Sequence, residues 1–364
     1  MAAFNIAAAI PAVRKDAVPR AALPFPRSSR LAYIFIAAFF VVSMLQIFTI
    51  TGKNPFSIPS YSLDFGEVYA DFGENLKLRT TGPLEVLITL IKAVMFPFVI
   101  MIFFSRFKTD RLAIFFILLP LVISSLLRGT DKELVDLLIL VAVAAFYYGM
   151  INWRVILYGS VVPALLMLFL LRRIGRFAGS VPNCLPQSEV CFNYSSPVAK
   201  IFGPDMEVLY VFLTNYVSQG YQGLTYALTL PFDFNFFVGH LPPVKRSLCL
   251  ISNIICDAPE YQDKLTAIGW DTTTKWPSAY TFIANDLSFW FTPLYLFALG
   301  VIYRKATLFW KNERDIASLA ALLLISQFML FSSANMQVGI NLDWSFATII
   351  FLYFGLFRRT RISH

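Results

Sequence analysis

The chain has 364 residues, of which 57% are hydrophobic and 14% charged, with a mean hydropathy of +0.65. A soluble domain carries about 25% charged residues, so too little polar surface is available for a water-soluble protein of this size. The formal net charge is +8, but the basic residues sit beside apolar runs, which points to helix orientation and anionic lipid headgroups rather than to nucleic acid.

Residues 1–30 carry Arg14, Lys15, Arg20, Arg27 and Arg30. They read as a cytoplasmic tail and not as a cleaved leader, because the apolar stretch that follows has the length of a true span. Eight stretches are apolar enough to cross a bilayer: 31–50, 84–104, 112–127, 134–151, 154–171, 282–302, 316–334 and 343–357. The predicted class is all-α, a polytopic integral membrane protein of about 8 transmembrane helices, or 10 if the long loop holds two more. With the tail inside, the cytoplasmic segments hold 5, 3, 1, 4 and 3 Lys/Arg, and the short outer loops hold 3, 2 and 0. This asymmetry satisfies the positive-inside rule and puts both termini in the cytoplasm. The organisation is then a tail (1–30), a five-helix membrane region (31–171), a large outer loop (172–281) and a three-helix region with a basic tail (282–364).

The outer loop contains all four cysteines, Cys184, Cys191, Cys249 and Cys256, as two pairs with six residues between the members of each. That placement predicts disulfides in an oxidising compartment. Within the loop, residues 206–230 read as an amphipathic or re-entrant helical segment lying at the membrane surface. Trp276, Pro277 and Tyr280 form an interfacial anchor before the sixth span.

The soluble-enzyme motifs are missing: there is no phosphate-binding loop, no dinucleotide fingerprint and no HExxH. The only histidines are His240 and His364, so a His-rich metal site is not expected, and no cofactor is. Four constellations carry chemistry. Arg128 and Lys132 lie in a short charged turn, Arg128-Gly129-Thr130-Asp131-Lys132-Glu133. It is either a clamp on a lipid diphosphate, for which an Arg fork is well shaped, or a solvated turn with an internal Arg–Glu pair. Arg172, Arg173 and Arg176 follow the fifth span on the outer side, where cations run against the expected orientation. They would meet phosphate headgroups or a bound anionic ligand. Lys92, Glu85 and Asp286 are ionisable residues in or near spans, where a charge needs a polar cavity or a partner. Lys92 would snorkel outward or pair with Asp286. Finally, Tyr216, Gln219, Tyr221 and Gln222 suit sugar faces and hydroxyls, although the glycines among them equally suit close helix packing. His240 could serve as a general base near neutral pH.

The run Tyr216, Gly220, Tyr221, Gly223, Leu224, Ala227 and Leu228, followed by Thr281, Asp286, Phe289 and Gly300, resembles the bacterial oligosaccharide repeat-unit polymerases (O-antigen, Wzy-type). The resemblance covers roughly residues 110–305. It implies glycosyl transfer between lipid-linked oligosaccharides at the periplasmic face of the inner membrane. A hydroxyl of one repeat unit attacks the anomeric carbon of a chain held on undecaprenyl diphosphate. Arg128, Lys132, Arg172, Arg173 and Arg176 would hold the diphosphate without a metal, and Asp286 or His240 would activate the hydroxyl. The implied partners are undecaprenyl-diphosphate-linked oligosaccharide, the bilayer and a chain-length regulator membrane protein. Two alternatives remain open: an O-antigen ligase-like transferase with the same donor, and a transporter or flippase for lipid-linked oligosaccharides.

Overall fold

The computed structural model describes residues 29–55, 82–106, 110–128, 132–149, 190–249, 253–272, 275–340 and 342–357. The N-terminal tail, the expected fifth span at 154–171 and Arg172, Arg173 and Arg176 lie outside them. The described residues are helical: α1 (Ser29–Thr51), α2 (Pro83–Arg106), α3 (Arg111–Arg128), α4 (Lys132–Tyr147), α5 (Pro197–Phe202), α6 (Pro204–Ala227), α7 (Pro242–Leu248), α8 (Asn253–Asp257), α9 (Tyr261–Ala267), α10 (Ala279–Glu313), α11 (Ile316–Phe331), α12 (Gln337–Ile340) and α13 (Leu342–Phe357).

Three of these, α1, α3 and α10, are long and apolar enough to cross a membrane. The two halves of α2, bent by 40°, make a fourth if they are one span. The expected stretches at 134–151, 316–334 and 343–357 fall on α4, α11 and α13, each 16 residues long. At 1.5 Å per residue such a helix is about 24 Å long, short of the roughly 30 Å hydrocarbon core. The described residues are thus helical, with three to four helices of the length and apolarity of membrane spans.

Proline starts four helices, α2, α5, α6 and α7, where its missing N–H costs no hydrogen bond. Ser196 caps α5 by accepting the Ala199 N–H at 3.0 Å. Asp315 caps α11 by accepting the Ser318 N–H at 2.8 Å. Helix α11 is the axis of the bundle: every residue from Ser318 to Ile325 is buried, as expected of a helix apolar on all sides. Its two faces feed separate cores. Ala320, Leu324, Ile325 and Phe328 pack with Phe282, Ile283 and Leu299 of α10 and Phe351 of α13. Leu319, Leu322 and Leu323 pack with Trp310, Ile100 of α2 and Leu140 of α4.

The segment expected to be amphipathic or re-entrant is one continuous helix, α6, whose glycines mark where it packs. A Cβ on Gly220 would lie 2.0 Å from the Ser333 carbonyl oxygen, and one on Gly223 would lie 3.1 Å from Pro277 Cα. The packing alternative for these glycines therefore describes the structure. The Ser278 N–H donates to the Gly220 carbonyl (3.1 Å) and the Ala279 N–H to the Ser332 carbonyl (3.0 Å), so α6, the start of α10 and the end of α11 meet at one point.

Cys249 and Cys256 are joined by a disulfide that ties the end of α7 to α8. Cys191 is also disulfide-bonded. By the chain-entropy argument, closing so short a loop contributes about 2 kcal/mol. Replacing Cys249 and Cys256 together by serine should lower the thermal midpoint by a few degrees. The reductant sensitivity that the variant loses, measured against wild type by differential scanning fluorimetry in detergent, gives the share of this bridge.

Candidate active site

Helix α10 is broken. Ser288 adopts φ 54° and ψ 168° inside it, and Pro293 follows five residues on, with no N–H for the Phe289 carbonyl. The break makes residues 279–287 a half-helix whose last carbonyls need other donors. The Asn285 carbonyl finds one in the Asn235 N–H (3.1 Å). Its side chain is fully used as well. Oδ1 accepts the Tyr261 N–H at 2.8 Å, while Nδ2 donates to the Gly239 carbonyl at 3.0 Å and to Gln262 Oε1 at 2.9 Å.

Asp286, one residue on, is 2% exposed. A carboxylate at a half-helix C-terminus faces the negative end of the dipole and is disfavoured there. It is stabilised by three donors from one turn. Oδ1 accepts the Gly239 N–H at 3.0 Å, and Oδ2 accepts the His240 N–H at 2.9 Å and pairs with His240 Nδ1 at 2.6 Å. A carboxylate in its ionised form only accepts, so Nδ1 is the nitrogen that donates to it, and in the neutral imidazole Nε2 is then the nitrogen with the lone pair. The imidazole is 20% exposed and lies edge-on to Tyr295, with ring centroids 5.9 Å apart. This oriented carboxylate–imidazole pair is the arrangement that general-base chemistry requires: one nitrogen held, the other available.

The turn that delivers His240 is tightly built. Gly239 cannot carry a side chain, because a Cβ would lie 2.6 Å from Asn235 Cβ and 2.7 Å from Asn285 Cβ. Asn235 is itself held by Lys245, whose Nζ donates to Asn235 Oδ1 (2.6 Å) and to the Ala258 carbonyl (2.7 Å) and pairs with Glu260 at 3.0 Å. Between them, Phe236 and Phe237 have φ of 54° and 61°, and the Val238 N–H donates to the Asn235 carbonyl at 3.0 Å. That is a type I′ turn, which glycine and asparagine favour and which costs a bulky residue about 1–2 kcal/mol per position.

No family model, curated protein or solved structure matches the chain.

A second polar group lies within the helical bundle. Lys92 Nζ donates to Gln46 Oε1 at 2.5 Å and lies 3.8 Å from Asp343. Asp136 accepts from Gln327 Nε2 at 3.0 Å. Lys92, Asp136 and Asp343 rim a cavity of about 80 Å³ whose wall is otherwise apolar, including Phe39, Phe96 and Trp344. The expected partner of Lys92, Asp286, is thus replaced by Asp343. The reason is that Asp286 is already saturated by backbone and imidazole donors.

The other residues expected at a site are scattered. Arg128 ends α3, half-buried and engaged with its neighbours. Lys132 begins α4. Gln219 is on the buried face of α6, while Tyr221 and Gln222 are exposed, so these three do not form one surface. Tyr216 lies on the same helix. Among the described residues no cluster of His, Cys, Asp or Glu could hold a metal. Asn235, Lys245 and Glu260 went unrecognised in the sequence, because each is an ordinary polar residue until the tertiary contacts are drawn. A carboxylate at position 136 or 343, beside an apolar run, was a signal that could have been used.

Two outcomes follow from these pairs. Burial pushes the Glu260 carboxyl up, and Lys245 offsets only part of that. The folded protein therefore binds this proton more tightly than the unfolded chain does. The contribution is fully present below about pH 4, the ordinary Glu value, and is lost as pH rises through the raised one. Glu260→Gln should flatten the fall in thermal midpoint above that pH, as read in a pH series in detergent; an unchanged slope would place the dependence elsewhere. For the bundle pair, Lys92→Met should cost about 1–3 kcal/mol, and adding Asp343→Asn should recover part of it. Strictly additive losses in this double-mutant cycle would show that the two do not interact.

Proposed function

We propose that this chain is a membrane glycosyltransferase that polymerises lipid-linked oligosaccharide repeat units at the periplasmic face of the bacterial inner membrane. On this reading it has eight spans and both termini in the cytoplasm, following the positive-inside balance. The break in α10 then falls on the outer side, where undecaprenyl-diphosphate-linked chains are presented. The observation that carries the proposal is the His240–Asp286 pair, a base oriented by a buried carboxylate at the mouth of a membrane helix.

The chemistry needs little more. The acceptor hydroxyl attacks the anomeric carbon of the donor chain, forming the new glycosidic C–O bond. His240 Nε2 takes the hydroxyl proton as the bond forms. Asp286 keeps the ring in the required tautomer and stabilises the imidazolium. The bond between the anomeric carbon and the diphosphate oxygen breaks, and undecaprenyl diphosphate leaves with its electron pair. Its charge is met by cations, for which Arg128, Lys132, Arg172, Arg173 and Arg176 are the proposed set. The proton on His240 then passes to water or to the departing diphosphate, which restores the base.

The test is deletion of the gene in its native host. Surface and lipid-linked glycans are resolved on a gel, with complementation by wild type, His240→Ala, Asp286→Asn and Arg128→Ala. The expected null shows single repeat units where a ladder stood. Wild type restores the ladder, and the His240 and Asp286 variants lose chain extension by about 10²–10⁴-fold. Full-length chains retained on undecaprenyl diphosphate would identify a ligase instead. Repeat units trapped on the cytoplasmic face would identify a flippase, and an unchanged pattern would remove glycan assembly altogether.

A further inference from the structure

The loop that carries His240 has a feature the proposed chemistry does not use. Four phenylalanines lie within six residues, Phe232, Phe234, Phe236 and Phe237, and they are 42%, 42%, 43% and 64% exposed. The last three rings form one patch: Phe234 lies 5.5 Å from Phe236 and 5.0 Å from Phe237 between centroids. Phe236 and Phe237 occupy the two left-handed positions of the turn, where asparagine and glycine would sit without strain. A strained turn that presents its two largest apolar side chains to the outside needs a compensating environment, and water is the least favourable one for them.

The fold indicates which environment that is. The turn is bonded to α10 at the break, through the Asn235 N–H on the Asn285 carbonyl and the Gly239 N–H on Asp286. Just past that break, α10 exposes Trp290, Leu294, Phe297 and Val301, with Trp290 90% exposed. Their spacing of 4, 3 and 4 residues keeps them on one face of the helix. An exposed apolar stripe on a helix long enough to cross a membrane faces lipid, and a tryptophan at its end marks the interfacial level. The turn that carries the phenylalanine patch is therefore held against α10 a few residues before this stripe begins, at its interface end. The one charge within the patch, Asp233, is neutralised by Lys264 at 2.6 Å. Phenylalanine has no hydroxyl or N–H with which to bind a sugar, which favours an acyl-chain occupant over a glycan.

We propose that the turn at Phe234–Phe237 is a lipid-inserting wedge. Its rings enter the acyl region of the leaflet beside the α10 break and hold His240 at the level of the headgroups. This inference rests only on the chain being a membrane protein and stands or falls apart from the glycosyl-transfer reading.

The experiment is site-directed spin labelling of the full chain in vesicles of phosphatidylethanolamine and phosphatidylglycerol. Phe237→Cys carries the nitroxide, and Phe234→Cys serves as the second variant if the first does not fold. The described native cysteines are oxidised, and unlabelled wild type sets the background. Power saturation with oxygen, which concentrates in lipid, is compared with a water-soluble nickel chelate. The expected result is a several-fold greater effect of oxygen than of nickel at both positions. Greater access to nickel would overturn the proposal and favour a water-facing platform for glycan. A label immobilised and reached by neither reagent would also overturn it, showing that protein covers the turn.

Discussion

The structure around the N-terminal end of α10 depends on keeping one carboxylate out of water. Asp286 is almost fully buried and sits at the unfavourable end of a half-helix. An isolated buried carboxylate would cost several kcal/mol. That cost is met by two backbone N–H groups and an imidazole, all from Gly239 and His240. The constraint propagates outward. The two amides must converge, so position 239 must be glycine. The convergence must be rigid, so Asn235 ties the turn to the carbonyl that the break released. Asn235 in turn relies on Lys245 and Glu260, and these lie on either side of the Cys249–Cys256 bridge.

The membrane helices supply the frame for that arrangement. α11 is buried on all sides and joins two cores, so α10 on one side and α2 and α4 on the other are registered against a common axis. Gly220 and Gly223 let α6 approach the ends of α10 and α11 within backbone contact, which brings the loop helices onto the bundle. The break at Ser288 then has a defined position relative to the loop. Charged groups elsewhere in the bundle obey the same rule as Asp286: Lys92 meets Gln46 and Asp343, and Asp136 meets Gln327.

Functionally, the arrangement separates two tasks. On the proposed reading, the dyad offers one nitrogen beside a lipid-facing helix for proton transfer from a lipid-linked substrate. On the same reading, the apolar turn next to it would set how deep that nitrogen sits. A base that is oriented but misplaced in depth would not meet a headgroup-level substrate, so chemistry and membrane placement are coupled through the few residues from Asn235 to His240.

Composition and hydropathy alone pointed to helices apolar enough for a membrane, and the clustering of the cysteines pointed to disulfide bonding such as that of Cys249 with Cys256, because these follow from local properties: the apolar length of a segment, its period and the spacing of thiols along the chain. Asp286 and His240 could be singled out from chemistry, since a carboxylate beside a span and a solitary histidine are unusual. Their contact could not, because 46 residues separate them and the turn that joins them is formed by phenylalanines where turn-forming residues are expected. Lys92 illustrates the same limit: a charge in a span demands a partner, yet whether that partner is Asp286 or Asp343 depends on which carboxylate is already satisfied. Hydrophobic pattern is written along the chain, whereas the partners of buried polar groups are set by three-dimensional packing, and only the tertiary structure decided them.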